Sequence, residues 1–283
     1  SFPYLRTHPL TSERIGEARA RMGLDGWTQA LRAQPSEHQR AAWHALMSAR
    51  AQVLMDPRSD ALHRLSNLTR TEEARPLAQV RLHYTVALAK QRIGQVSGAA
   101  AAMAQARQAA LSLPATQQPL VWRILTLSES EGLLEAQRPA DAAAPLMRPA
   151  PPSPVTAPQA GRPELLLHAR LALAQPDSTS QVDGWRDAAN RLQTHVSAHP
   201  QDAAAWALLS ELWRRLEQPL RAIHADAEAT AALGDLPGAI ERIQGAHQRF
   251  RRPDAADVIE LSVMDARMKA WQRQQRDDLR DER

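Results

Sequence analysis

Ten histidines are the residues of this chain best suited to metal or acid–base chemistry, and they lie scattered: His8, His38, His44, His63, His83, His168, His195, His199, His224 and His247. A helical metal site needs imidazoles at i and i+4, one above the other on one face. Only His195 and His199 have that spacing, and His199 precedes Pro200 beyond the predicted helix end, so no metal is expected there. The sequence holds no His-Glu-x-x-His, no Gly-Lys-Ser/Thr phosphate loop, no Gly-x-Ser-x-Gly elbow and no glycine-rich dinucleotide turn. With no nucleophile to name and no cysteine to supply a thiolate or disulfide, the chain by itself lacks a catalytic motif, and no cofactor is expected within it.

One histidine does sit in an informative local frame: Pro3-Tyr4-Leu5-Arg6-Thr7-His8-Pro9-Leu10-Thr11-Ser12-Glu13-Arg14-Ile15. Pro9 keeps His8 extended, because the proline ring crowds an α conformation in the residue before it. Thr11 or Ser12 can cap a helix, Glu13 suits the positive end of that helix, and Ile15 starts its apolar face. By local chemistry alone this is a loop entering a helix.

The elements that must position these groups read as helices. Hydrophobic residues make up 43% of the 283, mostly Ala and Leu, while aromatics are 4% and glycines number 11. That balance favours helix, and almost no strand is expected. The 35 Lys and Arg are interspersed with 31 Asp and Glu, a solvated mixed surface rather than a basic stripe, which argues against a nucleic-acid partner. No run approaches the ~18 apolar residues of a membrane-spanning helix. Ser1 leads into Phe-Pro-Tyr-Leu without a signal-peptide pattern, and a start without Met reads as a chain whose beginning has been trimmed.

Ala42, Leu46, Ala49 and Val53 recur at i, i+4, i+7 and i+11 and predict a helix over 37–55, stopped by Asp56-Pro57. Further helices are predicted over 60–68, 75–93, 96–113 and 120–134, with Gly94 closing the second of these through its tolerance of positive φ. The proline-rich residues 149–162 cannot donate backbone hydrogen bonds in register and are predicted to form an extended linker or loop. Helices resume over 164–174, 181–198, 202–217, 220–233, 236–250 and 254 to about 274. Trp206, Leu209, Trp213 and Leu216 share one side of their helix, as do Leu261, Met264, Met268 and Trp271 of the last, and both stripes read as core. The predicted organisation is an entry segment over 1–24, helical repeats over 36–148, the linker over 149–162, and helical repeats over 163–283.

Antiparallel helix pairs with a period of about 34 residues are the mark of tetratricopeptide arrays. Ala87, Gly94, Ala99 and Ala106 are spaced by seven, five and seven residues, and so are Ala227, Gly234, Ala239 and Ala246. Both windows match the small-residue positions of that family, with glycine at the turn and alanine where paired helices approach. A weaker window runs Ala49, Asp56, Ala61, Leu68, and another around Trp206 and Trp213 resembles the family's Trp and Tyr positions. The last overlaps the Ala227 window by half a repeat, so only one of the two is expected in register, and glycine favours the Ala227 window. The fold class expected is all-α, a tetratricopeptide-like superhelical array of antiparallel helix pairs.

The Leu5-x-x-His8-Pro9-x-x-x-x-Arg14-Ile15 pattern resembles the segment that closes the catalytic domain in HtpX-like zinc metallopeptidases. In their BepA-like bacterial branch that segment leads directly into tetratricopeptide repeats. Gly234-Asp235-Leu236-Pro237-Gly238-Ala239-Ile240, followed by Ser262-Val263-Met264-Asp265-Ala266-Arg267-Met268, looks like the close of such a tail. The resemblance implies that residues 1–24 end a metallopeptidase domain whose His-Glu-x-x-His and third carboxylate ligand lie upstream of Ser1. Zinc would then belong to the full-length parent, with His8 near it. A catalytic zinc keeps one position open for water, so His8 as a further ligand would be a regulatory gate. The implied setting is the periplasm of a bacterial envelope, with protein partners: the outer-membrane assembly machinery or misfolded outer-membrane proteins. Peripheral membrane association would come through the parent. Without the parent, the same repeats read as a free-standing adaptor that recognises a peptide or helix and has no protease activity.

Overall fold

In the computed structural model, which describes residues 37–69, 75–151, 161–175, 181–250 and 255–281, the regular elements are α-helices, and the described residues contain no strand. They are α1 (Glu37–Met55), α2 (Ser59–Ser66), α3 (Pro76–Arg92), α4 (Val96–Ala110), α5 (Gln118–Glu135), α6 (Pro139–Ala142), α7 (Ala144–Met147), α8 (Arg162–Ala174), α9 (Val182–Ala198), α10 (Ala203–Arg215), α11 (Pro219–Ala232), α12 (Leu236–Arg249) and α13 (Ala255–Asp281). The short helices α6 and α7 were not anticipated from periodicity, which is uninformative over four residues. The linker prediction is corrected at its end, since Arg162 already belongs to α8. Glu164 Oε2 accepts the Gly161 N–H at 2.9 Å, and Pro163 fits the first turn, where no N–H is needed. The entry segment 1–24, His8 within it, and linker residues 152–160 lie outside the described residues.

One turn geometry occurs four times. It ends α3 at Gly94, α5 at Gln137, α10 at Glu217 and α11 at Gly234, each with φ between 55° and 91°. At each, the N–H of the positive-φ residue bonds the carbonyl three residues back, and the next N–H bonds the carbonyl five residues back, at 2.8–3.2 Å. This is the Schellman arrangement, which satisfies carbonyls that the helix end leaves free. The following helix starts two residues after the positive-φ position, at Val96, Pro139, Pro219 and Leu236.

Side chains at fixed offsets make these turns possible. Seven residues before each turn stands a small residue, Ala87, Ser130, Ser210 or Ala227, and five after it stands a buried alanine, Ala99, Ala142, Ala222 or Ala239. Where the first is serine, its hydroxyl donates to the carbonyl of the alanine twelve residues on: Ser130 to Ala142 at 2.6 Å and Ser210 to Ala222 at 2.8 Å. The sequence expectation that the Trp206 and Ala227 windows exclude each other is therefore corrected. Both form the turn, because α11 serves as the second helix of one hairpin and the first of the next. The Ala49 window does not: the residue that must donate the second bond is Pro57, which has no N–H.

The core follows this hairpin order instead of gathering at one centre. Leu46, Val53, Tyr84, Met103 and Leu125 pack together among α1 to α5; Ala142, Leu167 and Leu171 join α6 to α8. Trp185, Leu192, Trp206, Leu209 and Trp213 fill the space among α8 to α11, and Leu236, Ile243, Met264 and Trp271 the space among α11 to α13. Alternate helices also touch: α1 with α3, α3 with α5, α5 with α8, and α8 with α10. The helices on either side of the proline-rich segment are thus in direct contact.

Candidate functional site: a channel between alternate helices

The row α1, α3, α5 and α8 lines an open-sided cavity of about 520 Å³. Helix α1 buries Ala42, Leu46, Ala49 and Val53, and the adjoining stripe, Trp43, Met47 and Arg50 at i, i+4 and i+7, faces the cavity. From α5 come Ile124, Leu127, Ser128 and Glu131 at the same helical spacing, and α8 closes the far side with Leu166 and Arg170. Tyr84 of α3 forms the floor, fully buried, its hydroxyl 2.7 Å from Ser128 Oγ. Trp43 stands at the rim with 45% of its surface exposed.

Guanidinium groups ring this apolar floor, each set by a carboxylate. Arg50 donates to Glu131 Oε2 at 2.7 Å, and Arg170 reaches the other oxygen of Glu131 at 3.2 Å. Arg123 grips Glu164 with two bonds, and Arg162 grips Asp202 at 2.6 and 2.8 Å, tying α8 to the N-cap of α10. Burial pulls the Arg50 guanidinium down, but Glu131 outweighs it and holds the group above its ordinary value. Burial likewise pushes the Tyr84 phenol up, so it stays protonated as Ser128's partner at neutral pH. Such a site can bind: an exposed indole and aliphatic side chains offer area to an apolar anchor, and the pre-set arginines offer donors to its carbonyl or carboxylate groups.

A different arrangement lies between α11 and α13. His224 bonds Glu260 through Nδ1 and has Glu228 3.6 Å from Nε2, while Arg267 clasps Glu228 with two bonds. Arg221 stacks over Trp213 and Arg267 over Trp271, at 5.0 and 5.2 Å from the ring centres. Burial lowers the His224 imidazole, yet the two carboxylates reverse this and hold it up at about 9.

His195 and His199 do come close, with ring centres 4.6 Å apart, but His195 Nε2 engages Asp202 at 2.9 Å, and that carboxylate also holds Arg162 and the first turn of α10. Among the described residues no three His, Asp or Glu side chains gather as a metal-holding group, and no helix is long and apolar enough to cross a membrane. Sequence reasoning missed the channel, since Trp43, Arg50, Glu131 and Arg170 belong to helices far apart in the chain. No protein-family model matches the chain, and no curated protein matches it.

Proposed function

We propose that this chain is a tetratricopeptide-like protein–protein interaction module that holds a peptide or helix of its partner in the channel between α1, α3, α5 and α8. The observation that carries this reading is the half-exposed Trp43 above an apolar floor flanked by pre-set arginines, on a face built from alternate helices. The four hairpins of one geometry support the repeat assignment, since each such pair buries its stripe only against a neighbour and leaves one face free. A photo-crosslinking residue at position 43 in cells should give protein adducts that Leu127→Glu abolishes, whereas the same group at Met55, exposed at the end of α1, should not. Nucleic-acid adducts from position 43, or equal adducts from both positions, would overturn the reading.

The resemblance over Leu5–Ile15 extends the proposal to the parent: a periplasmic zinc metallopeptidase concerned with outer-membrane protein assembly or quality control, with this module as the part that recruits partners. The free-standing adaptor differs in one feature, a reading frame upstream of Ser1 without a His-Glu-x-x-His helix. In the zinc-bearing parent, replacing His8 by Ala should raise basal proteolysis; unchanged proteolysis and zinc affinity would remove His8 from the zinc site.

A further inference from the structure

Among the described residues, three buried side-chain polar atoms lack a hydrogen-bond partner: Arg107 Nε, Trp122 Nε1 and Thr126 Oγ1. All three fall at one contact between α4 and α5. The Arg107 guanidinium lies over the Trp122 ring, 5.7 Å from its centre, and Thr126 follows Trp122 by one turn on the same face of α5. Glu129, a further turn along that face, accepts from Arg107. This is the opposite side of α5 from the one that lines the channel, where Ile124, Leu127 and Glu131 stand.

The chemistry of these atoms is one-sided. The Arg107 and Trp122 N–H groups can only donate, and a buried donor without an acceptor costs stability. Charge is one-sided too. Arg107 and Arg148, the latter at the end of α7, share a single oxygen of Glu129, Arg148 at 2.9 Å, and α4 contributes no acid. Burial pulls the Arg107 guanidinium, only 7% exposed, below its ordinary value; Glu129 does not fully offset this, and Arg148 adds to it. Arg50, Arg123, Arg162 and Arg267 are all held above theirs by their carboxylates. Arg107 is thus a buried cation that the chain itself under-compensates.

We propose that the contact between α4 and α5 is a binding site for a small inorganic anion of halide size, held by the Arg107 and Trp122 N–H groups and the Thr126 hydroxyl. An anion accepts from all three and supplies the negative charge that two arginines and one carboxylate lack. The burial of Arg107 favours a single-atom ion, and Arg148, with 40% of its side chain exposed, links the site to solvent. Bound there, the anion fastens α4 to the helix that forms the channel wall. The site is separate from the channel, so the inference does not depend on the function proposed for that channel.

The thermal midpoint of the full chain, measured at constant ionic strength with sodium bromide replacing sodium gluconate, should rise by about 2–4 °C and saturate. Arg107→Met, which keeps the aliphatic stem, and Trp122→Phe, which keeps an aromatic ring and removes the N–H, should each lose most of that rise. Thr126→Val should unfold no lower than the unaltered chain in gluconate, since it removes a buried group without a partner, and should lose part of the rise in bromide. Crystals of the unaltered chain grown in bromide should show an anomalous peak beside Arg107 Nε and Trp122 Nε1, a readout that stands whether or not the variants fold. No rise in bromide, a rise that survives in all three variants, or density at this point without anomalous signal, and so a water, would each overturn the inference.

Discussion

The channel between α1 and α8 and the junction between α11 and α13 use the same side-chain types to opposite ends. In the channel, Arg50, Glu131 and Arg170 are each about a quarter to a half exposed, and their ion pairs rim an opening. At the junction Glu228 is buried to 4% side-chain exposure and binds His224 and Arg267 at once, so the network fastens one helix to another. Exposed pairs are worth little to stability and remain available to a ligand, whereas breaking a buried one leaves a charge without compensation. Burial, rather than residue type, separates an open rim from a structural clamp here.

The sharpest way to break that contrast is Glu228→Ala. It leaves His224 and Arg267 side by side with one counter-charge fewer and should lower stability by about 3 kcal/mol, read by urea denaturation. Glu131→Ala in the channel should cost less than about 1 kcal/mol. If the two losses are equal, the contrast fails.

The second effect is with pH. His224 is held at about 9 in the folded chain, above the ordinary 6.5 it regains on unfolding. Its contribution is therefore complete below about 6.5 and is lost as pH rises through about 9. Glu228, which burial raises but Arg267 and His224 hold low, and Glu260, held low by its bond to His224, act the other way: their contribution is present above about 4.5 and lost as pH falls. Stability measured across pH should decline between about 6.5 and 9 by up to about 3 kcal/mol, and His224→Gln should flatten that limb. An unchanged limb would remove His224 as its cause.

Three smaller changes sharpen the comparison. Tyr84→Phe strands the buried Ser128 hydroxyl beneath the channel and should cost about 1 kcal/mol. Glu217→Gly should gain about 0.5–1 kcal/mol, since an L side chain at φ 55° is strained and glycine is not. Gly234→Ala, at φ 91°, should lose a similar amount. Thermal unfolding of the three variants checks both signs.

Much of the helical framework was legible because apolar periodicity and local breakers act within a few residues. Gly94 and Gly234 announced two turns, whereas Gln137 and Glu217 hid two others. The small residue seven before and the alanine five after are present at all four, but only two of the four carry the glycine that marks such a turn in a sequence. Pro57 would have excluded the Ala49 window had its missing N–H been counted. His8, on which the proposed zinc gate rests, lies outside the described residues, so that part of the reading still stands on sequence alone.

The sequence by itself determined that this chain is helical, where most of its helices begin and end, and which stripe is buried in α1, α10 and α13, because capping, proline geometry and 3.6-residue periodicity are local. Only the tertiary structure decided that α11 serves two hairpins, that Trp43 and Arg170 face one cavity, and that Glu228 is a buried clamp while Glu131 is an open rim. Those outcomes depend on which distant helices share a space and on how much water is left between them, and neither is encoded within a few residues of any one side chain.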